Sequence, residues 1–308
     1  MSGYQRVGWC VDIDCEPRYS YGMTIEVAAN HDSLPGPIWR AFLTSIGGPE
    51  YIVDVARQAS AAIMAIYGRA TITHSSKEDG SPVSEADVAA AEVIERMLGT
   101  TGKPVVCEEG VPPSIQGQAL YWLVDPLDGT REFLARNGEF SVNIALVAGQ
   151  EPVVGVIAIP VTGEVYVGVK GEGAERWMHG ERTGISNTRT ATSYIAASSR
   201  SFSSPEIDAW LERFGVGERL RCGSAIKFCR LAEGKADLYL RLGRTMEWDT
   251  AAGQVIIEES GCRLVTLPDH APLRYGKPTF ANSDFVALRA DIELPDSNAF
   301  QTKVVNQS

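Results

Sequence analysis

Asp125 and Asp128 stand at the end of an apolar run, where two neighbouring carboxylates could bind a cation. The run, residues 121–124, predicts a buried strand, and the Asp-Pro step after it predicts a turn that brings both acids to one side. Two carboxylates held together in a partly buried site repel, so either one takes up a proton or a cation neutralises both. Hard oxygen donors suit magnesium, calcium or manganese. The alternative is that these acids only cap a turn.

Further acids stand at the ends of other predicted elements. Asp87 lies in the first turn of a helix that follows Ser84, where it also complements the helix dipole. The pair Glu108 and Glu109 follows a short predicted strand, a place where acids are usually solvated loop residues. Asp249 begins a predicted helix and would suit a cap. The small residues 251–253 allow that helix end to approach another backbone closely, with Trp248 as a pocket wall.

The predicted elements that must position these acids change in character along the chain. Residues 1–48 have no clear period and predict an extension, and from Pro49 a helical pattern begins. Residues 49–187 predict an α+β domain with an antiparallel meander. Residues 188–292 alternate strands and helices, which predicts a second, α/β domain, and residues 293–308 form a tail.

Composition limits the classes of partner and the compartment. A chain of 308 residues that is 44% hydrophobic can bury a sizeable core, and its formal charge of −11 argues against nucleic acid polymers or anionic membranes as main partners. No apolar run is long enough to span a bilayer, and no secretory signal is visible. The six cysteines form no CxxC pair, so we expect reduced thiols in a cytoplasmic protein.

Three motifs in combination resemble the inositol-monophosphatase superfamily of magnesium-dependent, lithium-sensitive phosphatases. They are Glu-Glu at 108–109, DPLDGT at 125–130 and WDTAAG at 248–253. Flanking residues are similar to the 3'(2'),5'-bisphosphate nucleotidase branch, namely SPVS-x-AD at 81–87, GTREFL at 129–134 and GSAIKFC at 223–229. The resemblance covers about residues 49–290, in the order and approximate spacing of the family.

The resemblance implies a fold, a cofactor and site residues. The fold is α/β, with α+β layering: a sugar-phosphatase fold of alternating α-β-α-β-α layers. The cofactor is Mg²⁺, as two or three ions for which Mn²⁺ could substitute.

Metal ligands would be Glu108, Asp125, Asp128 and Asp249, with the backbone carbonyl of Leu127. The implied catalytic residues are Asp87 and Thr130, which would orient the attacking water, and Glu109. Asp249 is also an implied substrate contact, and contacts to phosphate or nucleotide would come from Gly129, Thr130, Gly223, Ser224 and Lys227. A homodimer is expected from the resemblance alone.

The expected reaction is hydrolysis of the 3'-phosphate of adenosine 3',5'-bisphosphate to AMP, with the sulfated precursor as a further substrate. An inositol or sugar phosphate phosphatase is the alternative within this fold. A metal-stabilised scaffold without catalysis is the alternative from another class. Phe202 stands where many members of the nucleotidase branch have a histidine associated with nucleotide recognition. It could stack on a base or belong to a core.

Overall fold

The first described element is a helix that the sequence analysis missed. In the computed structural model, α1 (Pro37–Ser45) lies inside residues 1–48, the extension of uncertain order in which the sequence showed no clear helical pattern. Proline is well tolerated at the first position of a helix, so Pro37 begins α1 instead of preventing it. Trp39 and Leu43 are buried in the main core. The ordered core therefore includes residues before the predicted start at Pro49.

The structure describes residues 37–76, 82–190 and 193–294. Predictions for residues 1–36 and for the tail beyond 294 lie outside these ranges. The cysteines at 107, 222, 229 and 262 are buried free thiols, as expected for reduced cysteines. Cys10 and Cys15 lie outside the described residues.

The predicted helical pattern after Pro49 is confirmed. The helix α2 (Gly48–Tyr67) buries its periodic apolar face, and α3 (Glu85–Gly99) packs beside it. Ser84 begins α3 in a capping box, in which its side chain accepts from a backbone N–H and Asp87 accepts from the Ser84 N–H. Two short antiparallel strands, β1 (His74–Ser76) and β2 (Pro82–Ser84), lead into that cap.

A seven-stranded sheet forms the first β layer. Its order is β3-β4-β5-β6-β7-β8-β9; only the β3–β4 pair is parallel, and the predicted antiparallel meander is confirmed within it. Successive residues of a strand point to opposite faces. Accordingly Trp122 packs into the core on the side of α2 and α3, and the neighbouring Tyr121 packs into the core on the opposite face of the sheet. The strands are β3 (Val105–Cys107), β4 (Leu120–Asp128), β5 (Ser141–Ala148), β6 (Glu151–Ile159), β7 (Glu164–Val169), β8 (Gly173–Met178) and β9 (Glu181–Ile185). The short helix α4 (Thr130–Leu134) follows β4.

A five-stranded mixed sheet forms the second β layer, in the order β11-β10-β12-β14-β13. The change of sheet after β9 agrees in position with the boundary predicted at residue 188, although the two sheets share one buried core. The domain assignment therefore stays a prediction. The elements are β10 (Tyr194–Ser199), α5 (Pro205–Arg213), β11 (Val216–Cys222), α6 (Ile226–Ala232), β12 (Leu238–Arg241), α7 (Glu247–Glu258), β13 (Cys262–Thr266) and β14 (Phe285–Arg289).

The helices separate the sheets into alternating layers, which confirms the predicted α-β-α-β-α architecture. On one side α2 and α3 cover the seven-stranded sheet. In the middle α6 and α7 are buried between the two sheets. The helix α5 covers the outer face of the five-stranded sheet. The site residues on α7 and on β4 are thus held by buried, packed elements.

Glycines in the seven-stranded sheet let the α7 backbone approach that sheet closely. A Cβ at Gly155 would lie 2.3 Å from the Ala252 carbonyl oxygen, and one at Gly168 would lie 2.8 Å from the Ile256 Cα. The small residues at 251–253 therefore allow the close backbone approach that was predicted. The position of Asp249 at the start of α7 depends on this packing.

Gly155→Ala is expected to destabilise the protein by about 1–3 kcal/mol, because the added methyl meets a backbone that cannot move without shifting α7. Urea denaturation measures the effect. Gly184→Ala is the matched control in β9, since a Cβ there meets no atom within 4 Å. Equal stabilities for the two variants would contradict this account of the α7 packing.

Candidate active site

An irregularity in β4 brings the two aspartates of the DPLDGT stretch to one side. Asp125 pairs with Asn143 of β5 and Asp128 pairs with Ser141, so three steps on β4 match two on β5. A continuous strand would place residues three apart on opposite faces, and the extra residue reverses that alternation. The turn predicted at Pro126 is wrong, because β4 continues through Asp128. The predicted juxtaposition is achieved by a bulge, where a proline can be accommodated.

Carboxylates from three separate elements converge beside this bulge. One oxygen each from Glu108, Asp125 and Asp249 lies within 4.8 Å of the others. Glu108 follows β3, Asp125 belongs to β4 and Asp249 lies in the first turn of α7. The Asp249 Oδ2 accepts from the Met246 N–H at 2.7 Å, so Asp249 is both a helix-cap residue and a member of the cluster. A role of Asp249 as a helix cap and a role as a member of the acid cluster are therefore compatible.

Burial and mutual repulsion dominate the electrostatics of the cluster. Burial raises the pKa of Asp125 well above its usual range, and the charges of Glu108 and Asp128 raise it further. The pKa of Asp249 is also raised well above its usual range, by burial and then by Asp128 and Glu108. Such a set of oxygens is unfavourable without a counter-charge. Hard carboxylate donors at this spacing fit a divalent cation such as Mg²⁺.

Asp128 is not one of the three converged carboxylates, but its charge acts on Asp125 and Asp249 from an adjacent buried polar network. Burial raises its pKa, while the positive charge of Lys227 and a hydrogen bond from Ser224 oppose that shift. The Asn143 side-chain amide lies 3.4 Å from the Asp128 Oδ2 and accepts from the Ser141 hydroxyl at 2.8 Å. The sequence analysis missed Ser141 and Asn143. Their signal was the presence of polar residues in an otherwise apolar strand.

Asp87 and Thr130 meet although 43 residues separate them. The Thr130 hydroxyl donates to the Asp87 Oδ1 at 2.9 Å. The Asp87 Oδ2 accepts from the Ser84 N–H at 2.8 Å and from the Ser84 hydroxyl at 2.6 Å. Burial raises the pKa of Asp87, and the bonds from Ser84 and Thr130 act in the opposite direction. Ser84, the N-cap of α3, thus holds the Asp87 carboxylate, and Asp87 in turn fixes the Thr130 hydroxyl next to the acid cluster.

The other predicted site residues lie in different local environments. Gly129 has φ of +91°, and a Cβ there would lie 3.2 Å from the Glu139 carbonyl oxygen, so a larger residue would not fit. The Gly223 N–H donates to the Glu139 Oε2 at 2.9 Å. A backbone donor that was predicted to bind substrate is therefore used in a contact within the protein. The Leu127 carbonyl lies 3.5 Å from the Thr130 hydroxyl. Glu109 follows Glu108 in the turn after β3.

Lys227 and Ser224 lie beside Asp128. The helix predicted from Ser224 begins only at Ile226, so Ser224 precedes α6, in a left-handed conformation with φ of +54°. Lys227 is 6% exposed, and its ammonium group donates to the Ser224 carbonyl. The predicted substrate contacts of Lys227 and Ser224 stay predictions. Both residues also stabilise the charged form of Asp128.

An open cavity of about 220 Å³ extends from the acids to the five-stranded sheet. Phe202 is 41% exposed at its wall, with the Arg241 guanidinium 4.5 Å from the ring centroid. Trp248, the predicted wall, is buried and packs against Phe280. The sequence analysis missed Arg241, although its signal was an arginine closing a strand eight residues before Asp249. Cavity residues include Asp128, Glu132, Ser201, Phe202, Ser224, Lys227, Arg241 and Asp249.

The fold and the site together define a class of protein. Residues 50–293 match the model of the inositol monophosphatase family. The chain belongs to this family and is a phosphatase.

Several proteins similar to this chain are named 3'(2'),5'-bisphosphate nucleotidases. Over 221 residues the chain is 42% identical to the 3'(2'),5'-bisphosphate nucleotidase CysQ of Salmonella typhimurium, an alignment covering 70% of this chain and 89% of that protein. The CysQ of Escherichia coli K12 is 41% identical over 220 residues, with the same coverage. The crystal structure of CysQ from Bacteroides thetaiotaomicron superposes with a TM-score of 0.70 at 36% identity, covering 78% of this chain and 97% of that one.

Within the described ranges, the helices fall short of the length and hydropathy that a membrane crossing requires.

Proposed function

We propose that this chain is a divalent-metal-dependent phosphomonoesterase that hydrolyses the 3'-phosphate of adenosine 3',5'-bisphosphate, giving AMP and phosphate. The observation that carries the chemistry is the Thr130–Asp87 hydrogen bond next to the converged carboxylates. A scaffold that only bound metal would need the acids but not a hydroxyl fixed beside them. Direct attack by water is favoured, with no covalent phosphoenzyme.

The acid cluster is the proposed metal site. Glu108, Asp125, Asp128 and Asp249 would hold Mg²⁺, together with the Leu127 carbonyl. When bound, such ions supply positive charge to the phosphoryl oxygens and lower the pKa of water. A phosphate monoester dianion repels nucleophiles, and the chain itself offers mainly negative charge here. The acid cluster would therefore bind an anionic substrate only once bound cations have neutralised its negative charge.

Thr130 is the proposed positioning group for the attacking water. Because its hydroxyl hydrogen is donated to Asp87, its lone pairs remain to accept a hydrogen bond from water. The two bonds from Ser84 hold the Asp87 carboxylate, which in turn holds the Thr130 rotamer. Orientation of this kind lowers the activation barrier without changing the affinity for substrate.

The substrate assignment is supported by the curated relatives and by the cavity wall. Proteins 41–42% identical over most of their length are named 3'(2'),5'-bisphosphate nucleotidases. Phe202 offers an exposed aromatic ring beside Arg241, on which a nucleobase could stack. An inositol ring has no π-face for such stacking, so this wall favours a nucleotide.

Phosphate release from three esters tests the proposal. Adenosine 3',5'-bisphosphate, inositol 1-phosphate and fructose 1,6-bisphosphate are compared at equal concentration with Mg²⁺, with Mn²⁺ and with EDTA. We expect the adenosine ester to have the highest kcat/KM and EDTA to abolish turnover. A preference for either other ester would replace the substrate assignment, and no turnover of any ester would favour the scaffold. The sulfated precursor serves as a fourth substrate.

A further inference from the structure

The exposed ring of Phe202 is carried by a short connection, residues 200–204, between β10 and α5. We call this connection the Phe202 loop. Its only local tie to β10 among the described hydrogen bonds is the one from the Phe202 N–H to the Ser199 Oγ, at 3.1 Å. Connections of this kind are usually more mobile than the elements they join. What holds the ring at the cavity wall must therefore come largely from elsewhere in the chain.

Two carboxylates from the segment after β4 hold the Phe202 loop. The Arg200 Nε donates to the Glu139 Oε2 at 2.5 Å, and its Nη2 donates to the Glu139 Oε1 at 2.6 Å. In the next residue, the Ser201 hydroxyl donates to the Glu132 Oε1. Exposed ion pairs usually contribute little, but a bidentate pair of arginine and carboxylate is the favourable exception. Glu132 is buried, so the Ser201 hydroxyl also satisfies a carboxylate with little access to water.

The end of β11 completes this arrangement. The Arg200 Nη2 also donates to the Arg221 carbonyl at 3.1 Å. A Cβ at Gly223 would lie 2.6 Å from the Glu139 carbonyl oxygen and 2.7 Å from the Glu132 Cγ, so a glycine is needed for this close approach. Burial acts to raise the pKa of Glu139, but the hydrogen bond and charge of Arg200 outweigh it and the pKa is lowered. The ion pair therefore persists at neutral pH.

The two carboxylates belong to the same short segment as Thr130. Glu132 lies in α4, two residues after Thr130, and Glu139 lies between α4 and β5. Residues 129–139 thus contact the acid-cluster end of the cavity and also the loop at its far wall. Among the described residues, Arg200 and Glu139 lie outside the lining of the cavity. Their short-range effect on a bound ligand therefore passes through the loop.

We propose that the contacts of Arg200 and Ser201 with these carboxylates form a clamp that fixes the Phe202 ring at the cavity wall. The residues of the clamp are positioning residues that determine specificity. The inference rests on the proposed function and deepens it: a fixed ring selects phosphate esters that carry a nucleobase over esters that do not. Without the clamp the ring leaves the wall, and the loss falls on nucleotide affinity and not on the hydrolytic step.

Arg200→Gln tests the clamp by comparing two esters. Adenosine 3',5'-bisphosphate carries a base and inositol 1-phosphate does not, and steady-state kinetics at saturating Mg²⁺ gives kcat and KM for each. We expect KM for the adenosine ester to rise about fivefold to tenfold with kcat within about twofold, since base stacking on an aromatic ring contributes about tenfold or more to affinity. The kcat/KM for inositol 1-phosphate should stay within about twofold.

Glu139→Gln separates the clamp from long-range electrostatics. Loss of the Arg200 charge weakens the attraction of anionic substrates, whereas loss of the Glu139 charge strengthens it. The clamp predicts a higher KM for the adenosine ester in both variants, and charge alone predicts opposite changes. Arg40→Gln is the matched control, since Arg40 on α1 also donates to one carboxylate, that of Glu172, and to one backbone carbonyl. It should leave both kinetic parameters unchanged.

A double-mutant cycle shows whether Arg200 acts through Phe202. If it does, Arg200→Gln added to Phe202→Ala should change KM for the adenosine ester by less than about twofold. Additive effects of the two substitutions, equal increases of KM for both esters, or an unchanged KM in Arg200→Gln would each overturn the inference.

Chymotrypsin cleavage after Phe202 gives a measurement that needs no substrate. Proteases cut loops more readily when these are released from the rest of the protein. We expect cleavage at this bond, identified by mass spectrometry, to be at least about fivefold faster in Arg200→Gln and Glu139→Gln than in the wild type or Arg40→Gln. If the wild type hydrolyses no adenosine ester, the nucleotidase proposal fails alone and these cleavage rates decide the clamp. Equal rates in all four proteins would reject it.

Discussion

Asp249→Asn is expected to reduce kcat/KM for phosphate ester hydrolysis by about a thousandfold or more, because it removes a charged oxygen from the carboxylate cluster. The fold should survive. Asparagine retains an oxygen that can accept from the Met246 N–H, the bond that begins α7. Loss of one charge also relieves the repulsion from Asp128 and Glu108. Without metal, the thermal midpoint of the variant should therefore equal or exceed that of the wild type.

Phosphate release at saturating Mg²⁺ measures the activity, and circular dichroism on heating measures the fold. Asp54→Asn on the exposed side of α2 is the control for loss of a carboxylate, and it should leave both quantities unchanged. A variant at position 249 that keeps more than about a tenth of the wild-type kcat/KM would remove Asp249 from the proposed metal site. A lost activity accompanied by unfolding would assign Asp249 a structural role instead.

Thr130→Ala is expected to lower kcat by about a hundredfold with little change in KM. The substitution removes the donor to Asp87 and the acceptor proposed for the attacking water, and these contacts serve the reacting geometry more than substrate binding. Steady-state kinetics over a range of substrate concentrations separates the two parameters. An effect confined to KM would contradict the proposed role, since it would indicate uniform binding of substrate and transition state.

Two variants at this position distinguish the hydroxyl from its side-chain volume. Thr130→Ser keeps the hydroxyl and should retain kcat within about tenfold, whereas Thr130→Val keeps the shape and should behave like alanine. Because Asp87 is 1% exposed, valine also leaves a buried carboxylate with one donor fewer. A modest loss of stability is therefore expected in both variants without the hydroxyl. Equal kcat values for serine and valine would show that the hydroxyl has no part in the reaction.

Local rules predicted the helices well where the pattern was regular. The apolar positions of α2 recur every three or four residues, and they are the buried ones. Ser84 is the N-cap of α3, as predicted, and Asp87 in the first turn completes a capping box with it. The helix α1 was missed because it is short and begins at a proline in an irregular region. Such elements are fixed by packing, here of Trp39 and Leu43, and a local pattern carries little of that information.

The acidic residue types and their order along the chain were determined by the sequence, since a carboxylate set suited to hard cations is a matter of composition and spacing. How those acids meet was decided by the tertiary structure. A bulge in β4, and not a turn, brings Asp125 and Asp128 to one side, because an extra residue reverses the alternation of a strand. Glycines in the seven-stranded sheet let α7 pack closely against it, and this packing positions Asp249 at the start of α7. Phe202 follows β10 and Arg241 ends β12, so the cavity wall that they form depends on the pairing of these two strands, which no local signal in the sequence indicates.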